Sequence, residues 1–223
     1  HHAANGTWFL ASTNGGVWRT TDLRAHAHLA GNGKQQGPRW QNVLDGQPVT
    51  CAAIAALHVS ARDPRRVYAG CGGATSSMEG SDWNVMNSGE WSGVMRSGDG
   101  GDTWAMVEGF PMNYYVTALL EVDDDGTLLV AAQSNLHDRN DGGMWIVGGG
   151  GGGGDITRVS RQPTFTLMQL TAAGDNGILA THARDAKQSV SASGDGGKTW
   201  ADAGALPWAD GAVPFYTCAT EMA

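Results

Sequence analysis

One eight-residue pattern occurs twice in this 223-residue chain and constrains its fold more than any other feature. Residues 97–104 and 193–200 both read Ser-x-Asp-x-Gly-x-Thr-Trp, and they begin 193 - 97 = 96 residues apart, which is two units of 48. Self-similarity at a period of 40 to 50 residues, as a rough range, is typical of repeat architectures. We call these two segments the octads.

Two degraded copies complete the series. Residues 16–22 align with residues 93–99, and Trp40 then takes the place of the octad tryptophan after a longer loop. In the third copy, residues 143–146 form the strand, and the glycine run 148–154 stands where the octad turn is expected. The chain is therefore predicted to contain four related units.

Each unit is predicted to consist of short β-strands joined by Gly, Asp and Asn turns. First strands are expected to open at Val49-Thr50, Val116-Thr117, Phe165-Thr166 and Tyr216-Thr217. Second strands are expected at residues 66–70, 127–132 and 178–181, and residues 6–11 resemble a second strand without a first. Four strands in such a unit are typical of a propeller blade, so the prediction is an all-β propeller of four-stranded blades.

The predicted blades follow one another along a single region spanning residues 1–223. Their approximate bounds are 1–47, 48–112, 113–163 and 164–212, with an insertion loop at 72–91. The chain opens with blade strands two to four, and residues 215–222 resemble a first strand that completes the first blade. Two arrangements fit this phase: a small closed ring, or an arc of a larger propeller, which the usual blade number favours.

The composition excludes several classes of protein. A total of 34 Gly without a Gly-X-Y period excludes collagen, and nine Trp with 41% hydrophobic residues exclude a disordered chain. A net charge of -8 disfavours nucleic acids and anionic membranes as partners, and no segment is apolar enough for membrane insertion. No signal peptide is recognised in the first ten residues, and the sequence favours no particular compartment.

Folding alone accounts for every fixed residue of the octads. The Asp side chain can fix a turn by accepting backbone hydrogen bonds, the fixed glycine can adopt a positive φ, and Trp begins the next strand. The predicted structural residues are Ser97, Asp99, Gly101, Thr103, Trp104, Ser193, Asp195, Gly197, Thr199 and Trp200.

The octads resemble the Asp box, or BNR repeat, of sialidase-like, sortilin-like and xyloglucan-hydrolase-like propellers. The segments 15–19 and 62–70 also resemble strands and turns of these proteins. The resemblance implies a propeller in which the octads lie on the blade rim, away from the functional centre. Because such motifs recur in enzymes, receptors and scaffolds, they indicate the fold and leave the function open.

Sialidase activity would require an arginine cluster, a nucleophilic Tyr with a partnering Glu, and an acidic proton donor. The Phe/Tyr-Arg-Ile-Pro segment of sialidases is absent, and Arg62, Arg65 and Arg66 cluster in a turn where a solvated surface is expected. The sequence therefore disfavours a sialidase.

A xyloglucanase-like hydrolase would require two carboxylates at one cleft. The only candidates are Glu121 and Glu221, which occupy equivalent places at an offset of 221 - 121 = 100 residues. Solvent-exposed positions at strand ends are the expected alternative, so no catalytic residue is assigned.

No metal or cofactor is predicted. Residues 123–126 read Asp-Asp-Asp-Gly without the spacing of a calcium loop and are expected to form a hairpin turn, and the seven His do not have zinc-ligand spacing. Cys51 and Cys71 are expected on adjacent strands as buried free thiols rather than as a disulfide. With Cys218, three cysteines fit a reducing compartment or an incomplete chain.

The insertion loop is the strongest candidate for partner contact, because loops over a rigid scaffold carry function. It contains Met78, Trp83, Met86 and Trp91 among polar residues, although a loop folded back on its own blade is an equal alternative. The leading functional hypothesis is a non-catalytic module that binds or scaffolds a protein or glycan partner. The alternative is a glycoside hydrolase, and a third hypothesis is a domain of a larger assembly.

Overall fold

The structure, a computed structural model, describes residues 6–12, 15–23, 38–49, 51, 53–72, 93–111, 114–134, 142–149, 155–162, 164–169, 177–184 and 187–205. These residues form an all-β fold of short antiparallel strands arranged in four sheets. In chain order the strands are β1 Trp8–Ser12, β2 Gly16–Thr20, β3 Gln41–Asn42, β4 Ile54–Val59, β5 Val67–Cys71, β6 Gly93–Ser97, β7 Ala105–Met106, β8 Tyr114–Glu121, β9 Leu128–Ser134, β10 Gly142–Val147, β11 Ile156–Ser160, β12 Thr164–Gln169, β13 Ile178–Arg184, β14 Lys187–Ser193 and β15 Ala201–Ala205.

The four sheets are built from strands that are consecutive in the chain. The first sheet has the order β1-β2-β3, and the second, third and fourth have the orders β4-β5-β6-β7, β8-β9-β10-β11 and β12-β13-β14-β15. The first sheet has three strands in the described residues, and the predicted phase of the blades stays a prediction. Residues 215–222, predicted to complete that sheet, lie outside them.

The first strand of the second sheet was predicted too early in the chain. It begins at Ile54 rather than at Val49-Thr50, because the preceding residues lie in a connection that contacts an octad. The Gln47 amide donates to the carbonyl oxygen of Asp102 at 2.9 Å, and its oxygen accepts from the Trp104 backbone at 3.3 Å. The apolar residues in this connection explain why the sequence pattern predicted a strand there.

Consecutive sheets pack face to face, and strand β9 shows how the sequence permits this. Its residues Leu128, Val130 and Ala132 pack in the core shared with the second sheet, while Leu129 and Ala131 pack in the core shared with the fourth. Successive side chains of a strand point to opposite faces, so a continuous apolar run fills two interfaces. Equivalent strands of neighbouring sheets are thereby held in contact.

Cys51 and Cys71 form a disulfide, so the expectation of free thiols is wrong. Cys71 ends β5, and the connection before β4 carries Cys51 next to it, with the Cα atoms 5.8 Å apart. Both side chains are buried in the core between the first and second sheets. No helix in the described residues has the length and apolar character needed to cross a membrane.

In every sheet, the turns between strands lie at two opposite edges. Because the strands alternate in direction, the hairpin between strands one and two and the turn between strands three and four lie at the same edge. The octads occupy the three-to-four turns, so we call this the octad edge. In the second sheet the two turns touch, since the backbone N–H of Gly100 donates to the carbonyl oxygen of Arg65 at 2.8 Å.

Candidate functional site

The two octads have the same internal hydrogen bonds. In each, the Asp side chain accepts from the backbone N–H of the Thr at 2.9 Å and from its hydroxyl at 2.6 Å. The Ser hydroxyl donates to the same carboxylate at 2.8 Å. The Trp indole donates to the carbonyl oxygen of the fixed glycine, which is Gly101 in the first octad and Gly197 in the second. All of these bonds close within eight residues, so the octad determines its own conformation.

The degraded first copy keeps the centre of this arrangement. The Thr20 hydroxyl donates to Asp22 at 2.6 Å, as Ser97 does to Asp99. Asp22 also accepts the backbone N–H of Arg39 at 3.2 Å, and Arg39 directly precedes Trp40. The longer loop therefore returns to the position that Thr103 occupies in the second sheet.

The octad glycines press against the preceding sheet. Gly101 and Gly197 have φ of 87° and 88°, a region that favours glycine. A Cβ on Gly101 would lie 3.0 Å from the Phe9 ring, and one on Gly197 would lie 3.0 Å from Leu129. Each octad thus packs on the second strand of the neighbouring blade.

Glu121, one of the two carboxylates predicted as catalytic candidates, is buried. Only 1% of the residue is exposed, so the expectation of a solvated strand end is wrong. Its Oε1 lies 2.6 Å from Nη2 of Arg66, which belongs to the second sheet. Burial raises the pKa of Glu121, and a hydrogen bond from Ser60 and the charge of Arg66 oppose the rise. Glu221 lies outside the described residues.

The arginine cluster of the sequence is divided between two roles. Arg66 pairs with Glu121, and Arg62 donates to the carbonyl oxygen of Glu121 at 3.1 Å and pairs with Asp124 at 3.0 Å. Both therefore link the second and third sheets, which corrects the expected solvated turn. Only Arg65 meets that expectation, with 72% of its side chain exposed.

Two further titratable groups surround this ion pair. The backbone N–H of Glu121 donates to Nε2 of His58 at 3.2 Å, and burial with the nearby Arg62 charge lowers the pKa of His58 to about 4. Burial and the Glu121 carboxylate raise the pKa of Tyr68 to about 12. At neutral pH the imidazole of His58 and the phenol of Tyr68, which lie beside the Glu121–Arg66 ion pair, are therefore both neutral.

Glu121 and its two arginine partners, Arg66 and Arg62, connect the third sheet to the second. It lies at the octad edge, where β8 ends, and its one carboxylate is neutralised by an arginine. The hairpin residue Gly126 covers it, since a Cβ there would lie 3.4 Å from Oε1. The predicted hairpin turn at 123–126 is present, with Thr127 N donating to Asp123 at 2.8 Å. No cluster of three or more possible metal ligands occurs in the described residues.

The opposite edge of the third sheet carries an aromatic and polar group that the sequence analysis missed. The Trp145 ring lies 4.9 Å from the Tyr114 ring, and the Arg158 guanidinium lies 4.9 Å above the Trp145 ring. On the other face of the sheet, the Tyr115 hydroxyl donates to Oε1 of Gln133 at 2.5 Å. The members of each group are 44 positions apart at most in the sequence and share no motif, so only the strand register places them side by side.

The residues Met78, Trp83, Met86 and Trp91 of the predicted insertion lie outside the described residues, as do positions 150–154 of the glycine run. At position 149 the glycine is required by a close contact, because a Cβ there would lie 2.1 Å from the carbonyl oxygen of Asp125. The third sheet thus brings its two turns together without an octad.

Comparison with solved structures shows a propeller fold similar to that of GH74 enzymes. The chain matches the GH74 xyloglucanase of Xanthomonas campestris with a TM-score of 0.58 and 19% identity, over 90% of this chain and 29% of the other. It matches a GH74 enzyme of Niastella koreensis with a TM-score of 0.57 and 16% identity, over 90% and 28%. An ancestral GH74 enzyme matches with a TM-score of 0.57 and 13% identity, over 89% and 23%.

The chain spans less than a third of the length of each of these enzymes. No protein-family profile and no curated protein sequence matches it. At such low identity the likeness shows the fold alone.

Proposed function

We propose that this chain is a propeller segment of a glycoside hydrolase of the GH74 type, acting on a glucan such as xyloglucan. The observation that carries the proposal is the superposition of nine tenths of the chain on GH74 enzymes. The octads agree with it, because the Asp-box propellers that they resemble include xyloglucan hydrolases. A propeller supports many functions, so the proposal also requires a surface suited to a saccharide.

The opposite edge of the third sheet offers that surface. The Tyr115 hydroxyl holds Oε1 of Gln133, which orients the amide, and the buried Nε2 of Gln133 has no hydrogen-bond partner in the described residues. An unpaired buried donor costs about 1–3 kcal/mol, so a ligand that supplies an acceptor is stabilised there. A sugar hydroxyl has this chemistry, and the partly exposed Tyr115 ring on the same face of the sheet provides an apolar surface.

Glu121 has no catalytic role in this proposal. Hydrolysis with two carboxylates requires them about 5 Å or about 6.5–9.5 Å apart across the scissile bond. Glu121 instead pairs with Arg66 at the other edge of the sheet, where it is shielded from solvent. We therefore expect Glu121→Gln to lower stability and to leave the turnover number of the folded enzyme unchanged.

The test is hydrolysis of xyloglucan by the full native polypeptide that carries this sequence, measured as the release of reducing ends. We expect Gln133→Ala to raise KM about tenfold, which corresponds to about 1.4 kcal/mol of lost binding. Glu121→Gln, assayed below its own unfolding temperature, is the matched control. Turnover that is lost in Glu121→Gln and kept in Gln133→Ala would contradict the assignment of the site.

A second candidate function is a propeller that binds a glucan without cleaving it. The observation in its favour is that Glu121 is the only acidic side chain buried in the described residues, and it is neutralised. Binding of xyloglucan that depends on Gln133, with no release of reducing ends, would select this candidate. Absence of both binding and hydrolysis would reject both.

A further inference from the structure

A cleft lies at the octad edge, between the first and second sheets. It has a volume of about 430 Å³, and three arginines line it: Arg19 from β2, Arg39 just before β3, and Arg65 from the hairpin between β4 and β5. Phe9, which is buried in the core below, also contributes to its wall. The cleft is separate from the Tyr115 and Gln133 site, which lies on the third sheet at the opposite edge.

Two of the three arginines at the cleft are paired with carboxylates beside it, Arg19 with Asp102 and Arg65 with Asp63. The chain carries a net charge of -8, yet three guanidinium groups and only one carboxylate, that of Asp99, line the cleft. Both oxygens of that carboxylate accept hydrogen bonds from within the octad, from Asp102, Thr103 and Ser97. Asp99 is thus committed to the turn and makes no ion pair with the three arginines.

Two of the arginines are held in place by contacts within the protein. Arg65 uses Nε and Nη2 to bind Asp63 at 3.1 and 3.0 Å, which leaves the N–H groups of Nη1 for another acceptor. Arg19 is fixed by the carbonyl oxygen of Gly100 and by Asp102, both at 2.7 Å. Their positions are therefore set before any ligand arrives, which lowers the entropic cost of binding.

Of the three arginines, Arg39 is the one with no carboxylate partner among the residues that the structure describes. Its side chain is exposed and makes no ion pair in the described residues, while its backbone N–H is held by Asp22 at 3.2 Å. The adjacent residue in the cleft is Trp40, whose ring is partly exposed, followed by the amide of Gln41. A guanidinium beside an indole offers a charged and an apolar contact within two residues.

We propose that this cleft binds a saccharide that carries a carboxylate, that is, a uronic acid residue of an acidic glycan. The planar guanidinium groups match a carboxylate in shape and charge. The Trp40 ring provides an apolar surface for the sugar ring, and Gln41 and Thr21 bring donors and acceptors suited to its hydroxyls. A simple anion would use the guanidinium groups and leave the aromatic and hydroxyl wall without a role.

The experiment compares two ligands that differ only in charge. Binding of oligogalacturonate and of its methyl ester to the full native polypeptide is measured by calorimetry, with inorganic phosphate as a third arm. We expect the acid to bind and the ester to bind at least about tenfold more weakly. The variant Arg39→Gln keeps the backbone contact to Asp22, and we expect it to weaken binding of the acid about tenfold.

The matched control is Arg161→Gln, which removes an exposed arginine that does not line the cleft. We expect it to leave the affinity unchanged. Equal binding of acid and ester, equal loss in both variants, or no binding of the acid would each overturn the proposal. Full displacement of the acid by phosphate at the same concentration would show a simple anion site and also overturn it. Xyloglucan hydrolysis by Arg39→Gln is expected to be normal, so failure here is distinguishable from failure of the proposed function.

Discussion

The two octads share their internal hydrogen bonds but differ in their contacts with the sheet that precedes them. Within each, the same carboxylate, hydroxyl and indole hydrogen bonds recur with nearly the same lengths. Outside, the octad of the second sheet is bound by Arg19 and Gln47 of the preceding blade. The residue aligned with Arg19 in the third sheet, which precedes the octad of the fourth, is the apolar Ile146.

The difference separates a folding element from a surface that the blade adds to it. The internal bonds satisfy the backbone of a sharp turn and are independent of what lies next to it. The external bonds depend on Arg19 and Gln47, and those of Arg19 occur where the arginine-lined cleft lies. A repeat can therefore keep its turn while each copy acquires a different surface.

The largest expected difference between the octads concerns their tryptophans. Trp104 is 3% exposed in the core between the first and second sheets, whereas Trp200 is only partly buried. We expect Trp104→Ala to lower the free energy of unfolding by about 4 kcal/mol, and Trp200→Ala by about half as much. Urea denaturation followed by circular dichroism measures both.

Leu10→Ala is the control for this comparison, because Leu10 is 49% exposed. We expect it to change the free energy of unfolding by less than about 0.5 kcal/mol. Equal losses in the two tryptophan variants would mean that the octads contribute equally to the cores, against the difference in burial.

Much of the fold could be predicted because its signals are local. The bonds of an octad close within eight residues, so residue types at fixed spacing are sufficient to indicate the turn and its phase. The same holds for the hairpin at 123–126, which Asp123 closes on Thr127. The strand alternation of β9 is equally visible in the sequence.

What could not be predicted depends on contacts between sheets. Glu121 and Arg66 are 121 - 66 = 55 residues apart, so the sequence contains no sign that one neutralises the other. The disulfide was missed for a related reason, because a connection rather than a strand brings Cys51 to Cys71. Tyr115 and Gln133 pair only through the register of β8 and β9.

The external contact of the first octad gives a smaller effect than the tryptophans. Arg19→Met removes the charge and the donors to Gly100 and Asp102 while keeping most of the chain length. Because the Asp102 side chain is largely exposed, we expect a loss of about 1 kcal/mol, decreasing at high salt. Thermal unfolding at low and high ionic strength measures it.

Arg96 provides the matched control, since it is aligned with Arg19 and the sheet that follows it has no octad. We expect Arg96→Met to cost less than Arg19→Met and to show a weaker dependence on salt. If the two substitutions behave alike, the link between Arg19 and the octad contributes nothing specific to stability.

The smallest expected effect tests the likeness of the octads rather than their difference. Partial burial acts to raise the pKa of Asp99, but hydrogen bonds from Thr103, Ser97 and Asp102 outweigh it and lower the pKa to about 2. Hydrogen bonds from Thr199 lower the pKa of Asp195 to about 2 as well. The folded state therefore favours both ionised carboxylates, and this contribution to stability is complete above the ordinary pKa of 3.8 and is lost as the pH falls through about 2.

Carboxyl carbon shifts in an NMR titration should give Asp99 and Asp195 nearly equal midpoints. Thr103→Val should raise the midpoint of Asp99 alone, and Thr199→Val that of Asp195 alone. If either substitution moves both midpoints, or neither, then the octads do not act as independent turns, and their common geometry has another cause than the bonds within each.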